Sequence, residues 1–486
     1  MAVQIYNTLS KEKSEFKPIS ADEVKMYVCG PTVYNLLHVG NFRGPVFFNL
    51  LRNWLEYRGY QVNYVYNFTD VDDKIIEASK ERSLPASEIS EKYIAEFKLD
   101  YASLKLGAHT HNPKVTETMS EIIQFISDLV SKGKAYESKG DVYFSVASFE
   151  EYGRLSNKKV DELQAGEGID ASELKKDSTD FALWKKAKDG EPSWDSPWSK
   201  GRPGWHIECS VMAKKFLGEQ IDIHGGGLDL VFPHHENEIA QSEACHNKCY
   251  AQFWVHNNML ELGEEKMSKS KGNIISLREF MSDYNGEIFK YLMLSSHYRS
   301  VLQFTPEQVQ RCISQLARFY SALNLADRLL ASDVEKSDIP KKFKIILDQT
   351  KDKIEKSLDD DFNTPEAFAA LFELLKAFNQ RCVLPGPVTG DKKAMAKGFK
   401  EIFNWFGSVC ALFQEDAKAY LLILDNMLLE KLELKRIDID ELVAKRSEAR
   451  VNKDFALSDE LRDELKNKGI AIQDRAEGTT WEVAKH

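Results

Sequence analysis

Between Phe42 and Tyr57 the apolar residues Phe47, Leu50, Leu51, Trp54 and Leu55 recur at the helical period, so an α-helix is expected there. Pro45 must fall in its first turn to be tolerated, and Gly59 stops it. Before the helix, VKMYVC (24–29) reads as a buried strand ending at Gly30-Pro31. After it, QVNYVYNF (61–68) alternates with period two and is rich in aromatic and β-branched residues, the pattern of a strand. Strand, helix, strand at this spacing is a βαβ unit and predicts a parallel sheet. Helical patterns follow over 72–100 and 114–132. DVYFSV (141–146), IDIHGGG (221–227) and FWVHNNML (253–260) read as strands, and the Gly-, Pro-, Ser- and Trp-rich stretch 187–204 as loop.

The pattern changes after about residue 300. TPEQ (305–308) is a helix start, with Thr305 as N-cap, Pro306 at the first helical position and Gln308 at the third. NTPEAFAALFELLKAF repeats the device with Thr364 and Pro365. Its Phe368, Leu371, Phe372, Leu375 and Phe378 form one stripe, read as the core of a helical bundle that runs to about residue 430. LPGPVTGDKK (384–393) is a loop within it. The last segment, 436–486, reads as two short charged helices, a strand at GIAIQD and a terminal GTTW. There are no internal repeats.

Composition narrows the class. A chain of 486 residues is too long for one core and suits two to four domains, and 29% charged residues is a globular value. No apolar run is long enough to span a membrane, and the N-terminus carries no apolar signal core. Seven cysteines, an odd number at low density, point to a reducing, cytoplasmic setting with free or metal-bound thiols. A net charge of −11 does not advertise nucleic-acid binding, which would need a local basic stripe. VAKRSEARVNKDF supplies one, with Lys445, Arg446, Arg450 and Lys453.

Three stretches carry chemistry. In PTVYNLLHVGNFR, His38 and Asn41 flank Val39-Gly40 where the first helix begins. A helix start presents unpaired N–H groups that suit phosphate, and Gly40 lets a ligand approach the backbone. In EEKMSKSKGN (264–273), Lys266, Lys269 and Lys271 crowd a Ser- and Gly-rich segment able to neutralise a polyphosphate. In FPHHENE (232–238), a helix starting near Pro233 would set His234 and Glu238 on one face, with His235 competing for it. Cys245 and Cys249 form a rival metal pair.

HVGN followed by KMSKS on a parallel α/β domain resembles the paired signatures of class I aminoacyl-tRNA synthetases. The fourth residue of the first motif, commonly His in that class, is Asn41 here. YVCGPTVYNLLHVGN, NFTDVDDKI, GWHIECS, DIHGGGLDLVFPHHENEIAQSE and DDFNTPEA together resemble the cysteinyl-tRNA synthetase family, from about residue 3 to Trp481.

That resemblance implies a Rossmann-like parallel-sheet catalytic domain over 1–300 with a connective insertion at about 105–200. A helical bundle over 301–430 and a small α+β anticodon-binding module over 431–486 would follow. It implies that Zn²⁺ is held by Cys29, Cys209, His234 and Glu238, and that ATP, with Mg²⁺, is bound by His38, Gly40, Asn41, Lys266 and Lys269. It assigns the amino-acid pocket to Gly30, Thr69, Trp205, His224 and Asp229, with His206 and His256 nearby, and tRNA contacts to Arg446, Arg450 and Trp481. The expected partners are L-cysteine, ATP and tRNA(Cys), with the protein a monomer. The family's cysteine-sugar ligases share the catalytic domain but lack the full C-terminal region that this chain has. Catalytically dead paralogues lose the KMSKS lysines or zinc ligands, and neither is missing here.

Overall fold

In the computed structural model β1 (Gln4–Asn7) and β2 (Glu12–Glu15) make a hairpin ahead of β3 (Glu23–Val28), and a helix over Arg43–Tyr57 leads from β3 to β4 (Gln61–Tyr66). The expected βαβ unit is thus present, and Pro45 sits in the first turn of its helix. Residues 2–158, 174–262, 265–266, 275–383, 386–475 and 478–485 are described. By packing they divide into two units.

The first unit comprises residues 1–278, 296–302 and 355–367. Between β4 and the later core strands comes an antiparallel sheet of β5 (Ala135–Ser138), β6 (Asp141–Phe144), β7 (Phe181–Lys186) and β8 (Gly201–Pro203), in that order. The helix Met119–Ser131 supplies Ile122, Phe125, Ile126 and Leu129 to the buried core beside it. The chain then returns through β9 (Ile221–Gly227) and β10 (Ala251–Asn257) to a four-stranded, all-parallel sheet ordered β10-β9-β3-β4. Val24, Met26, Ile221, Ile223 and Val255 are fully buried in these strands, as expected of a sheet covered on both faces.

Several local expectations shift. The 72–100 pattern is two helices, Asp73–Arg82 and Ala86–Ser103, because Ser83 takes a left-handed conformation and Pro85 cannot continue the first. The 187–204 loop contains β8, whose Arg202 pairs with Lys185 across the sheet. The cap before Pro365 is Asn363, not Thr364: Glu366 N–H donates to Asn363 Oδ1 at 3.3 Å. The helix starts at Thr364, so its cap lies one position earlier than the Thr-Pro pair suggests.

The second unit comprises residues 279–295, 303–354 and 368–486. Thr305 caps the helix Pro306–Leu330 by accepting from Gln308 N–H at 3.2 Å. The stripe of Phe368, Leu371, Leu375 and Phe378 is buried, with Phe368 against Phe406 and Phe378 stacked on Phe399. Phe372 is half-buried and meets the Arg318 guanidinium at 5.2 Å. At the C-terminal end, helices Arg436–Val451 and Phe455–Asn467 precede an antiparallel pair, β11 (Ile470–Arg475) and β12 (Gly478–Val483). The terminal GTTW is therefore part of a strand. Among the described residues no helix is long and apolar enough to cross a membrane.

Candidate active site

The C-terminal ends of β3, β9 and β10 open into a cleft of about 460 Å³. This is where an open parallel sheet places its ligands. Cys29 follows the last residue of β3 and is tied to β9 by its N–H, which donates to Gly225 O at 3.0 Å. Gly30 must be glycine: a Cβ there would lie 1.7 Å from the Asn67 carbonyl oxygen. Its N–H donates to Asn67 Oδ1 at 2.9 Å, which fixes the chain as it leaves the sheet.

Cys209 is 180 residues beyond Cys29 in sequence, on the helix Ile207–Leu217, yet the two Sγ atoms are 3.5 Å apart. His234 lies in the turn Val231–His235, and Glu238 in the helix Glu236–His246 that continues it. The i, i+4 spacing brings His234 Nε2 to 3.1 Å from Glu238 Oε1, and Cys29 Sγ is 3.4 Å from the same oxygen. One ligand atom from each of Cys29, Cys209, His234 and Glu238 lies within 4.8 Å of the others. Three of the four are buried and Cys29 is half-buried.

The four groups shift one another's charge: burial, with Cys209 and Glu238, pushes the Cys29 thiol well up. Burial pushes the Glu238 carboxyl up, but His224 and His234 outweigh it and hold the group at about 2. Burial likewise raises Cys209, yet hydrogen bonds with Cys29 and His234 bring it down to about 6. His234 is lowered by burial and raised more by Cys209 and Glu238, to about 10. Two thiols, an imidazole and a carboxylate form the donor set of a zinc site.

His235 belongs to a second grouping with Cys29, His224 and Glu238, but this contains only one thiol. Its Nε2 is 4.0 Å from Glu238 Oε1, and its Nδ1 is engaged with His256 Nε2 at 2.7 Å. Burial and the neighbouring imidazoles keep His235 well below the usual range. Cys245 is buried, Cys249 is exposed, and they belong to no such grouping among the described residues.

The cleft also gathers Thr69, Trp205, Asp229, His38, Gly40 and Asn41. The Trp205 ring stacks on His234 at 4.4 Å, and His206 Nδ1 lies 3.1 Å from His234 Nδ1. Thr69 Oγ1 donates to Glu208 Oε2 at 3.2 Å. His224 departs from expectation. It is fully buried, is absent from the cleft wall, and bonds Glu238 Oε2 at 2.9 Å. A strand's alternating sides turn it into the core beside Trp254, whose ring it stacks on at 4.4 Å.

His38 opens the turn Val39–Phe42, and its N–H donates to Asn41 Oδ1 at 3.1 Å. The Asn41 oxygen is thus used locally, by the backbone of His38. Lys269 lies outside the described residues, and of Lys266 only the backbone is described, in the short strand Glu265–Lys266. On the far side of the KMSKS segment, Ile275 O accepts from Val39 N–H at 3.0 Å and Leu277 N–H donates to Leu37 O at 3.3 Å.

In the C-terminal module Arg450 is exposed and its guanidinium bonds Asp474, and Arg446 is 4% exposed. Both Arg446 amino groups bond Asp474, at 2.8 and 3.0 Å. The charge that looked available for phosphate is used to tie helix Arg436–Val451 to β11. Trp481 Nε1 donates to Asp440 at 2.7 Å, and the Arg436 guanidinium lies 4.4 Å from its ring. Sequence pattern gave no sign of Tyr250, whose buried hydroxyl reaches Glu238 Oε2 at 3.2 Å.

A parallel sheet, a cleft at its C-terminal edge and an HVGN turn at the start of the first helix define a class I aminoacyl-tRNA synthetase. The fold is shared with Mycobacterium tuberculosis methionyl-tRNA synthetase in complex with methionyl-adenylate, with TM-score 0.61 at 12% identity over 85% of this chain and 94% of that one. Residues 15–314 match the family of tRNA synthetases class I (C) catalytic domains. Residues 353–414 match the DALR domain, and residues 437–481 the cysteinyl-tRNA ligase anticodon binding domain. The chain is 52% identical to the cysteine–tRNA ligase of Bdellovibrio bacteriovorus, over 99% of this chain and 100% of that protein. It is 44% identical to the cysteine–tRNA ligase of Bacillus velezensis, over 99% of each. The chain belongs to the cysteine–tRNA ligase family.

Proposed function

We propose that the protein activates L-cysteine with ATP to cysteinyl-adenylate and transfers the cysteinyl group to the 3′-terminal ribose of tRNA(Cys). The observation that carries this reading is the convergence of Cys29, Cys209, His234 and Glu238 on a cleft shared with the HVGN turn. Its thiol-rich donor set supports zinc. When bound, zinc supplies a soft Lewis acid that accepts the substrate's thiolate and takes up a serine hydroxyl poorly.

The residues of the chain do the remaining work by position and charge. The Thr69 hydroxyl donates its hydrogen bond to Glu208, so its oxygen lone pairs accept from the substrate ammonium, with the Asp229 carboxylate as counter-charge. Trp205 closes one side by stacking on His234. The cysteine carboxylate attacks the α-phosphate in line and pyrophosphate leaves, which requires no protein nucleophile. His38, the Gly40 backbone and the Asn41 amide donate to the phosphates, and Lys266 and Lys269 neutralise the charge that builds on the leaving group. Mg²⁺ accompanies ATP. The ribose hydroxyl then attacks the carbonyl carbon and AMP leaves. The match of residues 437–481 to an anticodon-binding family supports tRNA as acceptor, with Arg450 and Trp481 as contacts and Arg446 as a structural partner of Asp474. Such a protein works as a cytoplasmic monomer.

ATP–pyrophosphate exchange with cysteine, with and without tRNA, tests the reading. Exchange dependent on cysteine together with charging of tRNA(Cys) is expected. Exchange without charging would point to another acceptor, and no exchange with cysteine would overturn the assignment.

A further inference from the structure

The two oxygens of Glu238 are used differently. Oε1 faces the thiols and His234, at 3.4 Å from Cys29 Sγ and 3.1 Å from His234 Nε2. Oε2 is turned away and engaged by His224 Nε2 at 2.9 Å and by the Tyr250 hydroxyl at 3.2 Å. Tyr250 is 2% exposed. It immediately precedes β10, and its carbonyl accepts from Ile221 N–H at 2.9 Å, so its backbone is pinned to the start of β9. Its ring stands edge-on to His224 and Trp254, at 5.6 and 5.9 Å. A phenol clamped on both its backbone and its ring faces has little freedom to point its hydroxyl elsewhere.

We propose that Tyr250 is a positioning residue of the metal centre: with His224 it reserves Glu238 Oε2, so that the carboxylate offers the ion a single oxygen. This rests on reading Cys29, Cys209, His234 and Glu238 as a zinc site. An unrestrained carboxylate can turn both oxygens to a cation and crowd the place where a substrate thiol must bind. A phenol is a suitable restraint because it donates a hydrogen bond without adding a positive charge beside the ion. Partners that orient a metal ligand typically carry a 10- to 100-fold effect on affinity.

The experiment compares full-length wild-type protein with Tyr250→Phe, which removes one oxygen atom and keeps the ring. Zinc affinity is measured by chelator competition, and the visible spectrum is recorded after cobalt substitution. Tyr250→Phe should weaken zinc binding about 10- to 100-fold. Its cobalt band should also lose intensity, as expected when a second carboxylate oxygen raises the coordination number. Tyr64→Phe, the same change at another buried tyrosine of this unit, should alter neither. Equal affinity and an unchanged cobalt spectrum in Tyr250→Phe would overturn the proposal and leave the ring as core filling. A wild-type protein that binds no zinc would instead overturn the metal reading beneath it.

Discussion

Glu236 and Glu238 stand two residues apart on one helix and serve opposite sides of it. Glu238 faces the thiols of Cys29 and Cys209, whereas Glu236, fully buried, accepts from Gly153 N–H at 3.0 Å, Leu155 N–H at 3.4 Å and Ser156 N–H at 2.8 Å. The helix Glu236–His246 is thereby fastened to the segment 153–156. Glu236→Ala would strand three N–H donors, two of them buried, and a loss of about 3 kcal/mol in unfolding free energy is expected. Urea denaturation followed by circular dichroism measures it, and a loss under about 0.5 kcal/mol would show that those N–H groups find other partners.

The purified protein should carry about one zinc per chain, and Cys209→Ser should lose most of it, because serine leaves the site without the thiolate nearest Cys29. Elemental analysis after dialysis decides the matter. Full occupancy in the variant would shift the site to the grouping of Cys29, His224, His235 and Glu238.

Lys269→Ala should slow adenylate formation by a factor of about 100 or more, since it removes one ammonium group from the charge that develops on pyrophosphate. Zinc content and thermal stability should stay at wild-type levels. Pyrophosphate exchange at saturating ATP reads the effect, and an unchanged rate would reduce the KMSKS segment to a surface feature.

His109 offers a pH-dependent test of the first unit. Its ring stacks on Tyr66 at 4.7 Å and meets Tyr64 edge-on at 4.7 Å; burial and the Arg52 charge hold its pKa down at about 3. An unfolded histidine titrates near 6.5, so between these values the unfolded chain binds a proton that the native one refuses. The stabilisation is full above about pH 6.5 and is lost as pH falls toward 3, at about 1.4 kcal/mol per pH unit. His109→Phe should flatten the stability profile between pH 6 and 4 by about one proton relative to wild type. Parallel profiles from urea titrations would contradict this.

Features governed by neighbours along the chain were legible in the sequence. The βαβ unit follows from the periods of 24–68, and Thr305, Pro306 and Gln308 mark a helix start because capping needs only three consecutive positions. His234 and Glu238 share a face because the helical turn dictates it. Even there, local rules slipped by one residue at Asn363, where two adjacent residues both suit a cap. The composition and motifs also sufficed to name a family, since KMSKS and HVGN are short segments whose chemistry depends on their own residues.

What joins distant segments was decided only by the tertiary structure. No local rule relates Cys29 to Cys209; their sulfurs meet because β3 and the helix Ile207–Leu217 converge at one edge of the parallel sheet. His224 and Arg446 looked like ligand-facing residues, but burial against Trp254 and pairing with Asp474 turned each to the protein itself. Tyr250 carries no motif, and its hydroxyl gains a role only because the start of β10 lies beside the helix of Glu238. A residue's type sets which bonds it can make, and packing among elements far apart in sequence sets which of them it does make.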